Sequence, residues 1–311
     1  MSTCRNSNLT LREAEVWVPI TLIAATFQIL RTSRQHQLRS ALSVNAAGFV
    51  RYAYGFPLAL IASILTFVAI GSEFPSIPPR FWLIIAGGGI AQILGTVALL
   101  RSFDLRDFAI GTVYSKTEIV IVAVVSAVVL GENLAPIGWV AVIVCMIGVG
   151  WLAARGDLAS IMTKTLDPAA FMGIAAATGF ALAAVGIRAA SISLGDAPTW
   201  NRALLTLTVM LGIQTILNAA QLSITEPNAL VAVAKHWRAA MPVGILSVCG
   251  SVGWAVAVTL TSATKVRTLG QVELLIAFAI STLMLHERHD RREYAASALV
   301  LLGVVGVVAL G

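Results

Sequence analysis

Long apolar segments alternate with short polar connections along the whole chain of 311 residues. A helix needs about 20 apolar residues to cross the hydrocarbon core of a bilayer. Backbone groups in lipid must be satisfied internally, and segments of this length therefore predict helices rather than barrel strands. About ten membrane spans are predicted: 14–30, 43–70, 80–101, 107–130, 135–154, 168–191, 199–222, 237–261, 266–285 and 292–310.

Composition supports a multi-pass membrane protein. Hydrophobic residues make up 58% of the chain and charged residues 12%, whereas soluble domains carry about 25% charged residues. The net charge of +6 comes mostly from residues between the apolar segments, so no nucleic-acid partner is expected. The cysteines Cys4, Cys145 and Cys249 are too far apart for a disulfide framework or a Cys-x-x-Cys motif. We predict no cofactor and no metal.

The chain contains an internal repeat. Residues 80–150, moved forward by 155 positions, align without a gap, and Glu118 then falls on Glu273. The ten spans divide into halves of five, 1–154 and 155–311, and residues 155–167 form the polar linker. Because five is odd, the second half enters the bilayer from the opposite side, which predicts an inverted repeat. Spans one and two match six and seven only loosely.

Basic residues are distributed unequally between the two sides of the predicted membrane. Twelve Lys and Arg lie in the connections 1–2, 3–4, 5–6, 7–8 and 9–10. Five lie on the opposite side: Arg5, Arg12, Arg80, Lys265 and Arg267. The positive-inside rule therefore predicts that both termini lie outside the cytoplasm.

Glu118 and Glu273 are the leading candidates for a functional site. Each is a carboxylate within a long apolar segment, where ionisable residues are expensive and mark substrate or ion pathways. In an inverted repeat they would face one central cavity. The alternative is that each is a structural anchor, for instance with Lys116 or Arg188. Lys116 lies two residues from Glu118 and does not share its helix face, so we expect it to meet another helix.

The residues around the two acids are not equivalent. Lys116 aligns with Gln271 and Tyr114 with Leu269, so only the first half carries a neighbouring cation. We therefore expect the two acids to titrate differently, one as the coupling site and the other as its partner. Tyr114, Lys116 and Gln271 join the candidate substrate or coupling residues.

Three intramembrane arginines have different expected roles. Arg51 lies well inside the second span, where it could bind a substrate carboxylate or phosphate, or equally hold one of the glutamates. Arg188 and Arg202 lie near span ends and are expected to be anchors.

Two further acids, Glu132 and Glu287, lie where one span ends and the next begins. They are expected to be structural motif residues that cap helices, with gating as the alternative. The segment 286–293, which contains His286, Glu287, His289 and Asp290, resembles a metal cluster in composition. A solvated charged face explains it better.

These motifs resemble the EamA family of the drug/metabolite transporter superfamily. Each half has a Glu-x13-Glu pattern that ends in Leu130-Gly131-Glu132 or its variant Leu285-His286-Glu287. Arg51 also matches a recurrent arginine of that family. The resemblance implies a secondary transporter, often an exporter, in the bacterial inner membrane, with a central cavity between the halves.

The sequence departs from the family pattern at three points. Proline often follows the inner acid in the family, whereas Ile119 and Leu274 stand here, so a helix kink at this place is not expected. The second Leu-Gly-Glu has His286 at its centre. The family usually has cytoplasmic termini, whereas the charge distribution here favours the reverse.

The expected function is export of a small polar or amphipathic metabolite, such as an amino acid, by alternating access. The partners would be the substrate, the lipid bilayer and protons as the candidate coupling ion, and a homodimer stays open. No enzymatic activity is expected. The alternatives are a passive channel or facilitator and a non-transporting membrane sensor or enzyme subunit.

Overall fold

A computed structural model describes residues 3–104, 108–154, 167–284 and 290–311, and every regular element within these ranges is helical. Two π-helical segments, Leu65–Ala69 and Ser126–Leu130, extend the third and sixth helices. The α-helices of these ranges are α1 (Thr3–Leu38), α2 (Val44–Ala53), α3 (Gly55–Ile64), α4 (Pro79–Asp104), α5 (Phe108–Ser115), α6 (Glu118–Val125), α7 (Pro136–Ala153), α8 (Pro168–Ser193), α9 (Thr199–Thr225), α10 (Ala229–Lys235), α11 (Trp237–Leu260), α12 (Ala263–Gly270), α13 (Val272–Met284) and α14 (Arg291–Leu310).

The prediction of an all-helical membrane protein is confirmed. Within the described residues, nine helical segments are long and apolar enough to cross a membrane, one fewer than the ten predicted. The difference lies at 266–285, where Gln271 separates α12 from α13. α12 contains Lys265 and Arg267 and is polar on average, and neither helix alone is long enough to span. The linker 155–167 lies outside the described residues except for Asp167.

The fourth and ninth predicted spans are interrupted helices. α5 and α12 each have eight residues, and their bounds are related by the same 155-residue shift as the sequence repeat. Lys116 and Thr117 form a turn before α6, and Gln271 forms one before α13. Both breaks precede the inner acid, so they do not lie at the place where proline often follows this acid in the family.

A second irregularity follows in the fourth span. The π-helical segment Ser126–Leu130 ends at Gly131, which adopts the left-handed conformation with φ of 69°. A side chain at this position would clash with its own backbone, so glycine is the residue that permits this helix end.

Contacts group the chain into two compact units, and each unit takes helices from both sequence halves. The first unit comprises Met1–Gly89 and Ile187–Leu260. In it, α1 packs along α11, and a Cβ at Gly253 would lie 2.8 Å from the Cβ of Ala24. Its apolar core includes the fully or almost fully buried side chains of Val50, Tyr52 and Val243.

The second unit comprises Ile90–Gly186 and Thr261–Gly311. Its closest helix pair is α7 and α14, the last helix of each half. A Cβ at Gly148 would lie 2.6 Å from the backbone nitrogen of Val300, and one at Gly303 would lie 2.5 Å from the Cα of Cys145. Gly148 aligns with Gly303 and Cys145 with Val300 in the repeat, so the two contacts are reciprocal. Reciprocal contacts between equivalent residues are what a twofold axis produces.

Candidate functional site

The helix breaks of the second unit bring the inner acids to the first turns of two half-helices. Glu118 begins α6, and Glu273 is the second residue of α13. Each acid lies ten residues after the start of the preceding short helix, which corresponds to roughly 15 Å along the span, or about half of the hydrocarbon core. Thr117 Oγ1 donates to the Tyr114 carbonyl at 2.7 Å, and this bond satisfies one of the acceptors that the first break frees.

Glu118 forms a tight ion pair with Arg267. Arg267 Nε donates to Glu118 Oε1 at 2.7 Å, and the Nη2 atom of Arg267 also contacts this oxygen. The glutamate is buried, with 7% of its surface exposed, so the pair lies in a medium of low dielectric constant. Charge-assisted hydrogen bonds of this kind are about twice as strong as neutral ones.

Glu273 pairs with Lys116 in a looser arrangement. Lys116 Nζ lies 3.5 Å from Glu273 Oε1, and the two side chains are 18% and 20% exposed. The distance is longer than the Nε–Oε1 distance of the Arg267 pair, and Glu273 is less buried than Glu118, so this pair costs less to separate.

The two ion pairs exchange charges between the sequence halves. Lys116 of the first half pairs with the acid of the second, and Arg267 of the second half pairs with the acid of the first. The two cations do not occupy equivalent positions, because Lys116 aligns with Gln271, and Arg267 aligns with Thr112. Each half therefore supplies a cation to the acid of the other half, but the two cations come from positions that the repeat does not relate.

Arg267 is the main residue that the sequence analysis missed. The charge distribution counts it among the residues at the membrane boundary, whereas it lies inside α12. The expectation that only one half carries a cation near its acid is therefore wrong. The spacing of the polar residues could have indicated this helix. Thr264, Thr268 and Gln271 are four and three residues apart, as on one face of a helix, and Arg267 lies next to this face.

Several buried polar atoms near these pairs in the sequence have no hydrogen-bond partner among the described residues. Gln271 Nε2 donates to the Arg267 carbonyl at 3.2 Å, but its Oε1 atom has no partner. The same holds for Tyr114 Oη and for the hydroxyl oxygens of Thr264 and Thr268. Most buried polar groups are paired, so such a set in α5 and α12 indicates groups available to a polar ligand or to water.

Arg51 lies in the first unit, in the last turn of α2, and the two acids lie in the second. Its guanidinium carbon lies 4.8 Å from the centre of the Tyr52 ring, in cation–π geometry, and its Nε atom is buried without a hydrogen-bond partner. Both of its expected roles stay predictions. Arg188 donates from Nη1 to the Val258 carbonyl at 2.6 Å within the first unit.

The outer acids have different positions. Glu132 is half-buried and precedes α7, whose N-cap residue is Ala135 and whose first turn contains no acid. Glu287, His286 and His289 lie outside the described residues. In the described part of that region, Asp290 and Glu293 form a capping box at the start of α14. No group of three or more His, Cys, Asp or Glu that could hold a metal occurs in the described part of the chain.

Within the described residues, nine helical segments can cross a membrane, and one of these, Val113–Leu130, and the predicted span 266–285 are interrupted; these features define a multi-pass helical membrane protein. Residues 167–309 match the family model of the EamA-like transporter family. The resemblance to this family is therefore confirmed over the second half. One solved structure, described only as "Crystal structure of protein", superposes with a TM-score of 0.70 over 96% of this chain and 99% of that chain, at 14% identity. No curated protein matches the chain.

Proposed function

We propose that the chain is a secondary transporter of the bacterial inner membrane that exports a small polar or amphipathic metabolite by alternating access. The observation that carries the proposal is the reciprocal pairing of Lys116 with Glu273 and of Arg267 with Glu118. Many transporters bind substrates and coupling ions at discontinuous helices near the bilayer midplane, and ionisable residues within membrane spans mark such pathways.

The difference between the two pairs assigns them different roles in this proposal. The buried Glu118–Arg267 pair holds α6 and α12 together throughout the cycle. The looser Lys116–Glu273 pair opens when substrate binds. Protonation of Glu273 would remove its negative charge and release Lys116, which gives protons a way to couple to the opening.

The open pair would accept a substrate that carries both charges. An amino acid presents an ammonium group to Glu273 and a carboxylate to Lys116, and thereby replaces one ion pair by two. The unpartnered oxygens of Thr264 and Thr268 lie on the same helix as Arg267, that of Gln271 lies at its C-cap, and all three would bind further polar groups of such a substrate.

Counterflow in proteoliposomes tests the proposal. Vesicles are preloaded with unlabelled leucine, lysine or glutamate, and the uptake of the same radiolabelled amino acid is followed. A carrier gives transient accumulation that saturates with concentration. A channel, the competing function, gives flux without saturation and no counterflow. Absence of counterflow for all three probes, together with no resistance of overexpressing cells to toxic amino-acid analogues, would overturn the amino-acid assignment.

A further inference from the structure

A groove between α4 and α8 lies in the second unit, and its lining residues are not part of the proposed transport site. It has a volume of about 590 Å³, and its walls are almost entirely apolar. Gly179 lines the groove, and a Cβ on this residue would lie 2.7 Å from the Cα of Gly95 on α4. Because neither residue has a side chain, the helices meet closely and the larger side chains on either side form the walls.

The groove has the length of one membrane leaflet. Along α4 it extends from Ala91 to Arg101, and along α8 from Leu182 to Phe171. Ten residues of helix correspond to roughly 15 Å, or about half of the hydrocarbon core. Arg101 and Phe171 lie near the ends of their apolar spans, so the groove runs from the membrane boundary to the midplane.

A positive charge lies at the boundary end of this groove. Arg101 lines the groove, and its side chain is exposed, whereas the remaining lining residues carry no charge. Leu94 and Phe171, which are 62% and 67% exposed, form part of the apolar walls. The connection after α4 belongs to the side that the charge distribution predicts to be cytoplasmic, the leaflet in which anionic lipids are concentrated.

We propose that this groove is a binding site for one anionic glycerophospholipid, with an acyl chain in the apolar part and the headgroup phosphate on Arg101. The groove matches both parts of such a molecule. Its apolar walls would hold an acyl chain, and Arg101 lies at the membrane boundary, where the headgroup phosphate would be. A guanidinium binds a phosphate through two parallel hydrogen bonds. A zwitterionic headgroup also contains a phosphate, but its positive group reduces the net attraction to Arg101.

The test measures lipid retained by the purified full-length protein. The protein is delipidated in detergent, titrated with phosphatidylglycerol or phosphatidylcholine, and examined by native mass spectrometry. We expect one phosphatidylglycerol to be retained in preference to phosphatidylcholine. Arg101→Gln should weaken phosphatidylglycerol binding by about fivefold, the factor of one basic residue at an anionic surface. Arg80→Gln, which removes the same charge at the other end of α4, should leave it unchanged.

A second variant tests the acyl-chain part of the groove. Ala175→Phe, which fills the groove, should lower the retention of both lipids, while far-ultraviolet circular dichroism verifies that the helices remain. Equal effects of Arg101→Gln and Arg80→Gln would overturn the headgroup assignment. Full lipid retention by Ala175→Phe would overturn the assignment of the groove to a lipid. A change of this variant from dimer to monomer without lipid loss would also overturn it, because a second copy of the chain would then be the occupant of the groove.

Discussion

Replacing Arg267 by methionine removes the cation that compensates the most buried acid of the described site. Glu118 would keep its burial, at 7% exposure, while losing the donors at Nε and Nη2. Removing one partner of a buried ion pair costs about 3–5 kcal/mol, because it leaves a charge uncompensated. The Arg267 side chain itself is 22% exposed, so we expect the lower end of this range, about 3 kcal/mol.

A double-mutant cycle separates the ion pair from the loss of packing. The free energy of unfolding is measured for Arg267→Met, Glu118→Gln and the double variant by denaturant titration in detergent micelles, followed by circular dichroism. The double variant should be more stable than Arg267→Met alone, since replacing both partners of a buried pair by neutral groups is often close to neutral. Arg80→Met, at an exposed position in the first turn of α4, is the control and should change stability by less than about 0.5 kcal/mol.

Two outcomes of the cycle would refute the reasoning. A loss below about 1 kcal/mol for Arg267→Met would mean that Glu118 is solvated or finds another cation. Additive effects of the two single substitutions would mean that the two side chains do not interact.

Three further substitutions test other features of the molecule. Gly303→Ala should lower the stability of the protein by about 1–3 kcal/mol in thermal unfolding, because its Cβ would overlap α7. The control Gly87→Ala, with open space around the residue, should raise the stability slightly. Equal effects of the two substitutions would contradict the close contact of α7 and α14. Gly131→Ala should cost about 1–2 kcal/mol by the same assay through backbone strain alone, and a neutral result would argue against its positive φ. Thr268→Val should leave the thermal midpoint almost unchanged and raise the apparent KM for transport, and a large loss of stability would instead assign its hydroxyl a structural role.

Hydropathy and the internal repeat were sufficient to predict the class of fold. α4, α7 and α8 begin at Pro79, Pro136 and Pro168, because proline fits the first helical turn. Hydropathy predicted one continuous span at 266–285 and could not predict the break at Gln271, since an average over many residues does not detect a single turn.

The candidate site could be predicted only in part. The internal repeat identified Glu118 and Glu273, because the two acids align at the 155-residue shift and this alignment requires only the sequence. Their cations could not be found in this way, since Arg267 and Lys116 do not occupy equivalent positions. Pairing across the two halves depends on how α12 and α5 lie beside the partner helices, and a sequence of one chain contains no distances between helices.

Proton-driven transport by the Glu273→Gln variant is the most direct test of the central claim. Proteoliposomes that contain the wild-type protein, with the amino acid that gave counterflow, should accumulate label when a pH gradient is imposed. The Glu273→Gln variant should lose this accumulation and retain counterflow with a raised apparent KM, because its amide exchanges no proton and attracts the substrate ammonium group less strongly. Glu73→Gln, at an exposed acid before α4, should behave like the wild type. Undiminished, pH-driven accumulation by the Glu273→Gln variant would contradict the account.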